Sequence, residues 1–235
     1  MVSRKTYDIS NLTILRSNEP SYSLADEAQK IGYAAWSDRF SNRPKSQIEN
    51  VFNANSIEKI EKLQKAFAKK IGRFVSVIAM QDTDPVGYAW GSDDVGNMSI
   101  TNQKIKQAAL KINGKKPYAW VAQINVLPEY QREGIGSAML KELLTPFDDD
   151  QRVSTYVFHE NQLTLGWFLD MGFDTIPNEP VDPSDNPDGP DYYFGTEAEH
   201  VLQWRLQASS VDDIVNKLGK IVLPEYKLVE LGLKK

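Results

Sequence analysis

The residues whose types and spacing could do chemistry are two glycines that open a predicted helix, Gly134 and Gly136. They follow a strand-forming stretch, residues 118–126, and a short polar loop. Glycine lets a backbone approach a ligand closely, and the free amides and dipole of a helix N-terminus favour an anion such as a phosphate. The same pattern also occurs in plain tight turns. The two glycines alone therefore leave both a phosphate site and a turn open.

Two common nucleotide-binding motifs are excluded at this loop. Met139 stands where the dinucleotide fingerprint needs its third glycine. No later glycine is followed by the Lys-Ser or Lys-Thr pair of a P-loop. A phosphate bound here would belong to another kind of ligand.

The composition excludes several other classes of function. The 235 residues include no Cys and two His, so we expect no disulfide framework, no cysteine nucleophile and no metal site. The 27 basic and 32 acidic residues give a net charge of -5 without a basic stripe, which argues against nucleic acids and anionic membranes. The sequence shows neither a secretory signal nor an apolar run of about 18 residues, so we expect a cytoplasmic protein.

The elements that must position the glycine loop are predicted from hydrophobic periodicity and turn chemistry. They are, in chain order, a helix over 24–40, a helix over 55–72, a hairpin of strands 74–80 and 86–90, a polar insertion over 91–116, a strand over 118–126, a helix from 134 closed by Pro146, a strand over 153–158, a helix over 161–171, a strand over 173–176, a Pro- and Asp-rich loop over 177–191, a strand over 202–206 and a helix from 210. Trp36, Trp90 and Trp120 are interpreted as core residues.

The stretch Ile124-Asn125-Val126-Leu127-Pro128-Glu129-Tyr130-Gln131-Arg132-Glu133-Gly134-Ile135-Gly136-Ser137 resembles the coenzyme A signature of the GNAT superfamily of N-acetyltransferases. That signature is an apolar strand, a proline, then Arg or Gln, two residues, Gly, one residue, and Gly or Ala. Residues 131–136 fit it without gaps. Residues 161–173, which start at an Asn and end in Gly-Phe, are similar to a second segment of the family.

The resemblance implies a fold and a domain organisation. The fold is of the α/β (α+β) class, a mixed, strongly twisted central sheet flanked by helices, with a C-terminal helical extension. We expect an acetyltransferase domain over residues 1–208 whose coenzyme-binding core is 118–176. The extension covers 209–235. The strands at 118–126 and 153–158 are expected to splay apart, with the coenzyme between them.

The resemblance also implies which residues bind acetyl-CoA. The pantetheine arm would pair with Ile124, Asn125 and Val126 as a pseudo-strand. The residues expected to hold the pyrophosphate are Arg132, Glu133, Gly134, Ile135, Gly136 and Ser137, with a charge-assisted bond from Arg132. Gln131 replaces the more common Arg of the signature. Asn161 is either a contact of the pantetheine arm or a helix N-cap, and both roles remain open.

The family reaction is direct transfer of an acetyl group to an amine. A base must deprotonate the amine, and Glu160 and His159 are the candidates, although a solvated strand end explains both residues as well. The backbone amide of Val126 is implied as the donor to the oxyanion. Many family members carry Tyr at the position of Phe168, which here cannot protonate the leaving thiolate. A thiol with a pKa of about 8.5 can leave without that acid.

We expect the acceptor to be a small amine, a peptide N-terminus or a Lys side chain. A homodimer is compatible with the sequence, which does not specify the oligomeric state. The alternative from another class is a non-catalytic acyl-CoA sensor, motivated by Phe168 and the absence of a convincing base. A protein that keeps only the fold and binds no coenzyme is a third interpretation.

Overall fold

The computed structural model describes residues 10–17, 25–39, 73–94, 118–158, 161–176, 203–221 and 223–231. Its elements, in chain order, are β1 (Leu12–Ser17), α1 (Ala25–Arg39), β2 (Phe74–Gln81), β3 (Asp84–Asp94), β4 (Tyr118–Val126), a 3-10 turn (Pro128–Tyr130), α2 (Ile135–Leu144), β5 (Val153–Phe158), α3 (Gln162–Asp170), β6 (Asp174–Ile176), β7 (Gln203–Ala208), α4 (Val211–Lys220) and β8 (Lys227–Leu231).

The strands of the described residues form one sheet in the order β6-β7-β5-β4-β3-β2-β1-β8. Strands β1 to β4 pair as antiparallel neighbours, and β5 to β7 form a second antiparallel group. The two groups meet at the parallel pair of β4 and β5. The predicted fold class, a mixed sheet flanked by helices, is confirmed.

Helices cover both faces of the sheet because its strands carry apolar side chains on both sides. Val75, Val77 and Ala79 of β2 belong to the larger core, which they share with α2, α3 and α4. Phe74 and Ile78 alternate with them and face the other way, in a smaller core that includes Ile31 of α1. Side chains alternate across a strand, so β2 supplies both cores.

The pairing between β4 and β5 stops after two residue pairs. Ala119 lies opposite Val153 and Trp120 opposite Ser154, and no later pair of these strands is in register. At the next position the Thr155 hydroxyl donates to the Val121 carbonyl at 2.8 Å, in place of a backbone neighbour. The two strands therefore separate toward their C-terminal ends, and the predicted splay is present.

A bulge lies in β4 where the strands separate. Gly91 of β3 pairs with Val121 and Trp90 pairs with Gln123, which leaves Ala122 without a partner on β3. Gly91 permits this close approach, since a Cβ there would lie 2.4 Å from the Trp120 carbonyl oxygen. A bulge bends its strand and increases the local twist. It thus turns the end of β4 away from β5.

The C-terminal part of the chain is more than a helical extension. The helix expected from residue 210 is present as α4, capped by Ser210, whose hydroxyl accepts from the Asp213 amide at 3.1 Å. Beyond it, β8 pairs in parallel with β1, and the sequence analysis predicted neither strand. Helix α4 therefore packs in the core, and β8 joins the sheet, of the domain that was expected to end at 208.

A buried charge cluster joins β8 to the rest of the fold. Glu142 of α2 is buried and accepts hydrogen bonds from Arg16 at 2.9 Å and from the Tyr226 hydroxyl at 2.7 Å. Arg16 also forms an ion pair with Glu230 of β8. Three distant segments of the sequence meet at one carboxylate.

Several predicted features lie outside the described residues: the helix over 55–72, the loop over 177–191 and most of the insertion over 91–116. The start of that insertion is strand, because β3 continues through Asp94. Within the described part of the chain, none of the helices has the length and apolar character needed to cross a membrane.

Candidate functional site

The N-terminus of α2 lies at the open end of the cleft between β4 and β5. A Cβ placed on Gly136 would lie 3.8 Å from the Trp167 ring of α3, 3.9 Å from Val126 and 4.0 Å from Ile124. These are ordinary contact distances rather than clashes. The glycine therefore forms the floor of a space bounded by the end of β4 and by α3.

The loop before α2 has an unusual backbone. Arg132 has a φ of 72° and Gly134 a φ of 83°, both in the left-handed region. Glycine adopts this region readily, whereas a residue with a Cβ is strained there. The Gln131 side chain donates to the Val126 carbonyl at 3.0 Å and ties the loop to β4. Strain held in a loop by surrounding contacts is often found at functional sites.

Within the described residues, the first turn of α2 presents backbone donors that take no part in the helix's own hydrogen bonds. Gly134 is its N-cap and has no side chain to cap the helix. The amides of Ile135, Gly136 and Ser137 precede the first intrahelical bond, which the Ala138 amide makes to the Gly134 carbonyl at 2.9 Å. These amides and the helix dipole favour an anion.

The end of β4 directs alternate backbone groups into the cleft. The Leu127 amide donates to Val86 of β3 at 2.9 Å, so by strand alternation the amide and carbonyl of Asn125 also face β3. The corresponding groups of Ile124 and Val126 must face the other way, toward the separated β5. Within the described residues they meet no strand there, and the Val126 carbonyl meets Gln131 instead.

Helix α3 closes one side of the cleft mouth. The Asn161 side chain caps it by accepting from the Thr164 amide at 3.3 Å, so the capping role is present. The Trp167 indole donates to the Ser137 hydroxyl at 3.3 Å. Phe168 is buried and packs edge-on against Phe173, with 4.9 Å between ring centroids. The Phe168 ring carries no hydroxyl that could act as an acid.

The structure brings most of the predicted site residues together. Those that converge at the cleft mouth are Ile124, Val126, Gln131, Gly134, Ile135, Gly136 and Ser137. Arg132 and Glu133 lie in the same loop, and the Arg132 side chain is exposed. Glu160 and His159, the predicted bases, lie outside the described residues. Asn125 has its side chain on the opposite face of the sheet from Gly136.

That opposite face carries polar contacts that the sequence analysis missed. The Trp36 indole of α1 donates to the Asn125 amide oxygen at 3.2 Å. The Trp90 indole likewise donates to the Gln123 amide oxygen at 3.4 Å. Both tryptophans were interpreted as core residues, which is correct for the buried Trp90, whereas Trp36 is half-buried. The signal in the sequence was the pair of amides at alternate positions of an otherwise apolar strand.

A buried tyrosine lies beside these amides. Tyr88 is directly opposite Asn125 in the register of β3 and β4, and its burial raises its pKa far above the ordinary tyrosine value. Its hydroxyl therefore stays protonated to a higher pH than that of an exposed tyrosine. Among the described residues, no group of three or more His, Asp or Glu side chains is arranged to hold a metal ion.

Comparisons with known proteins found one matching family model and several similar solved structures. The acetyltransferase (GNAT) family matches residues 48–173. No curated protein matches the chain significantly. Among solved structures, the PaiA N-acetyltransferase from Thermoplasma acidophilum in complex with coenzyme A has 13% identity and a TM-score of 0.53, over 85% of this chain and 99% of that one. A GCN5-related N-acetyltransferase from Rhodopseudomonas palustris has 10% identity and a TM-score of 0.50, over 87% and 99%. At these identities the structural likeness concerns the fold alone.

Proposed function

The chain belongs to the GNAT acetyltransferase family, and we propose that it transfers an acetyl group from acetyl-CoA to a primary amine. The acceptor classes are a small amine, a peptide N-terminus or a Lys side chain. The observation that carries the proposal is the cleft itself, where backbone groups of β4 that pair with no strand of the described residues open onto the strained loop and the first-turn amides of α2. The PaiA enzyme with the same fold was solved with coenzyme A, which supports this choice of cosubstrate.

The end of β4 fits the pantetheine arm. Ile124 and Val126 point backbone groups into the cleft, where a peptide-like ligand can pair with them. These half-buried groups meet no strand partner among the described residues, so a ligand that pairs with them adds hydrogen bonds that the sheet leaves unmade. Asn125, which was also expected to pair with the arm, turns its backbone groups toward β3 and lies between the two residues that do face the cleft.

The loop and the first turn of α2 fit a pyrophosphate. The amides from Arg132 to Ser137 surround the helix N-terminus, and Gly136 leaves room for a group that approaches the backbone. The exposed Arg132 guanidinium supplies a positive charge beside them. We also propose that Asn161, in addition to its capping bond, adjoins the pantetheine arm.

We assign the remaining chemistry to two residues. The Val126 amide faces the cleft and stabilises the oxyanion that develops when the amine attacks the acetyl carbonyl. Glu160, which follows β5, removes the proton from the attacking amine. Acetyl-CoA supplies an activated acetyl group. Its leaving group is the coenzyme A thiolate, and because a thiol has a pKa of only about 8.5, this thiolate can leave although Phe168 provides no acid.

Calorimetry with acetyl-CoA tests the binding site. We compare the wild type with Gly136→Trp, whose ring would fill the space below Val126 and Trp167, and with Gly136→Ala, whose single methyl group fits there. We expect the wild type and Gly136→Ala to bind acetyl-CoA, and Gly136→Trp to bind it at least about tenfold more weakly. The indole ring would displace the pyrophosphate from its amide donors, and hydrogen bonds to a charged group are worth about 1.5–3 kcal/mol. Absence of binding to the wild type would refute the acetyltransferase proposal.

A non-catalytic acyl-CoA sensor is the second candidate, favoured by the buried Phe168 ring, which has no proton to donate. Thiol release from acetyl-CoA in the presence of a panel of amines separates the two functions. An enzyme releases thiol with at least one amine, and the release depends on Glu160. A sensor binds acetyl-CoA equally well but releases no thiol above the background rate.

A further inference from the structure

The side-chain amide of Asn125 is buried, and its NH₂ group has no hydrogen-bond acceptor among the described residues. The residue is 6% exposed. A buried amide donor without a partner is unfavourable by about 1–3 kcal/mol. Such a group in a native structure calls for an explanation, and one explanation is a ligand.

The orientation of this amide is fixed by α1. An indole nitrogen can only donate, so the Trp36 contact identifies the bonded atom as the amide oxygen and leaves the NH₂ group pointing elsewhere. Gln123, two residues earlier on the same face of β4, is held in the same way by Trp90. Each indole thus fixes which side of its amide carries the oxygen and which carries the NH₂ donors.

The position of these amides relates them to the reaction. Asn125 lies between Ile124 and Val126, the two residues whose backbone groups face the cleft. Its side chain projects from the sheet face under α1, whereas Ile124 and Val126 project toward α2, where the pyrophosphate is assigned. With the pyrophosphate on the α2 side, as proposed, the opposite face of the sheet is left for the amine. That is the face of Asn125.

We propose that Asn125 binds the acceptor substrate by donating a hydrogen bond to a carbonyl or carboxylate oxygen close to the reactive amine. The acceptor is then an amino acid, an amino amide or a peptide N-terminus rather than a simple alkylamine. Trp36 is a positioning residue, because it acts by fixing the amide. The neutral Tyr88 hydroxyl opposite Asn125 does not add a negative charge that would repel such an oxygen. This inference rests on the proposed acetyltransferase function.

The experiment compares two acceptors that differ only in the oxygen-bearing group. L-alaninamide carries a carboxamide next to its amine, and 1,2-dimethylpropylamine has an isopropyl group of similar shape in its place. Thiol release is measured at equal concentrations of the unprotonated amines for the wild type, Asn125→Leu and Trp36→Phe. Ser92→Ala is the matched control, because the Ser92 hydroxyl is also buried and lacks a partner among the described residues.

We expect the wild type to prefer L-alaninamide by about tenfold or more in kcat/KM, as loss of a buried hydrogen-bond partner predicts. Asn125→Leu should lose this preference, mainly through a higher KM, and Trp36→Phe should lose part of it. Ser92→Ala should keep it. General damage to the fold would slow both acceptors alike, so the preference reports the hydrogen bond and not stability.

Calorimetry of L-alaninamide with the coenzyme A-loaded protein gives a second measurement that needs no turnover. Weaker binding to Asn125→Leu than to the wild type supports the inference. Three results overturn it: equal use of both amines by the wild type, an unchanged preference in Asn125→Leu, and a wild type that binds acetyl-CoA but neither amine. Weaker acetyl-CoA binding by Asn125→Leu with an unchanged preference would assign the amide to the cosubstrate instead. If the wild type did not bind acetyl-CoA at all, the proposed function itself would be refuted.

Discussion

Arg132 and Gly134 share a left-handed backbone conformation but differ in what it costs them. Gly134 adopts its φ of 83° without a steric penalty, whereas the Cβ of Arg132 at a φ of 72° is strained by about 1–2 kcal/mol. The loop keeps an arginine at a position where glycine would be more stable. A binding role explains the arginine at this strained position, because we propose that its guanidinium binds the pyrophosphate.

The strain at Arg132 can be measured by substitution. We expect Arg132→Asn to raise the free energy of unfolding by about 0.5–1 kcal/mol, because Asn tolerates the left-handed region better. The same change should weaken acetyl-CoA binding by about tenfold through loss of the charged donor. Denaturant unfolding and calorimetry measure the two effects. Arg132→Lys, which keeps both the charge and the Cβ, should leave stability unchanged, and a stability gain in that variant would contradict the strain argument.

The two glycines of the motif should respond differently to alanine. Gly134→Ala places a Cβ at positive φ and should lower the free energy of unfolding by about 1 kcal/mol. Gly136→Ala has contact distances of 3.8 Å or more and should raise it by about 0.5 kcal/mol through better helix propensity. Denaturant titration of both variants tests the pair. Equal effects would show that backbone conformation does not distinguish these glycines.

At the scale of elements, β8 is attached by its side chains as well as by its backbone. The strand is mostly exposed, yet Tyr226 before it reaches the buried Glu142 of α2. Removing that hydroxyl leaves Glu142 with one fewer donor in a buried site. The C-terminal strand is therefore coupled to the helix whose N-terminus forms the candidate phosphate site.

This coupling predicts the effect of a conservative change. Tyr226→Phe should lower the free energy of unfolding by about 1–3 kcal/mol, because the buried carboxylate loses a hydrogen bond. Lys227→Ala, an exposed change one residue later, should alter it by less than about 0.5 kcal/mol. Thermal and denaturant unfolding of the two variants give the comparison. A similar loss in both would show that the exposed strand itself, and not the link to Glu142, carries the stability.

Local sequence patterns predicted the elements around the site well and the sheet edges poorly. The strand at 118–126 and the helix at 162–170 have strong periodic or capping signals. Strands β1 and β8 are short, polar in part and paired across the whole length of the chain, so no local window shows that they belong together. The link between Trp36 and Asn125 spans 89 positions and is equally invisible to periodicity. The way in which Trp36 orients the Asn125 amide can be seen only in the folded structure.

For the whole molecule, two tyrosines predict sensitivity to alkaline pH. Burial raises the pKa of Tyr88 and of Tyr226 well above the ordinary value, and for Tyr226 the hydrogen bond to Glu142 adds to the effect. The unfolded chain loses these protons near pH 10 while the folded chain keeps them. The stabilisation is therefore complete below about pH 10 and decreases as the pH rises above it.

Unfolding at several pH values checks this expectation. The free energy of unfolding of the wild type should fall as the pH rises above about 10. Tyr88→Phe and Tyr226→Phe should each flatten part of that fall, although both variants begin from a different stability. A wild-type stability that does not change with pH across this range would contradict the raised pKa values.

Because the end of β4 pairs on one side only, its backbone amides should alternate between slow and fast hydrogen exchange. The amides of Asn125 and Leu127 are committed to β3, while those of Ile124 and Val126 open onto the cleft. In deuterated water the first pair should exchange slowly and the second pair quickly, residue by residue along a single strand in the middle of a sheet. A ligand that pairs with the cleft-facing amides would slow only the fast set. The strand can therefore report occupancy of the cleft without any enzymatic assay.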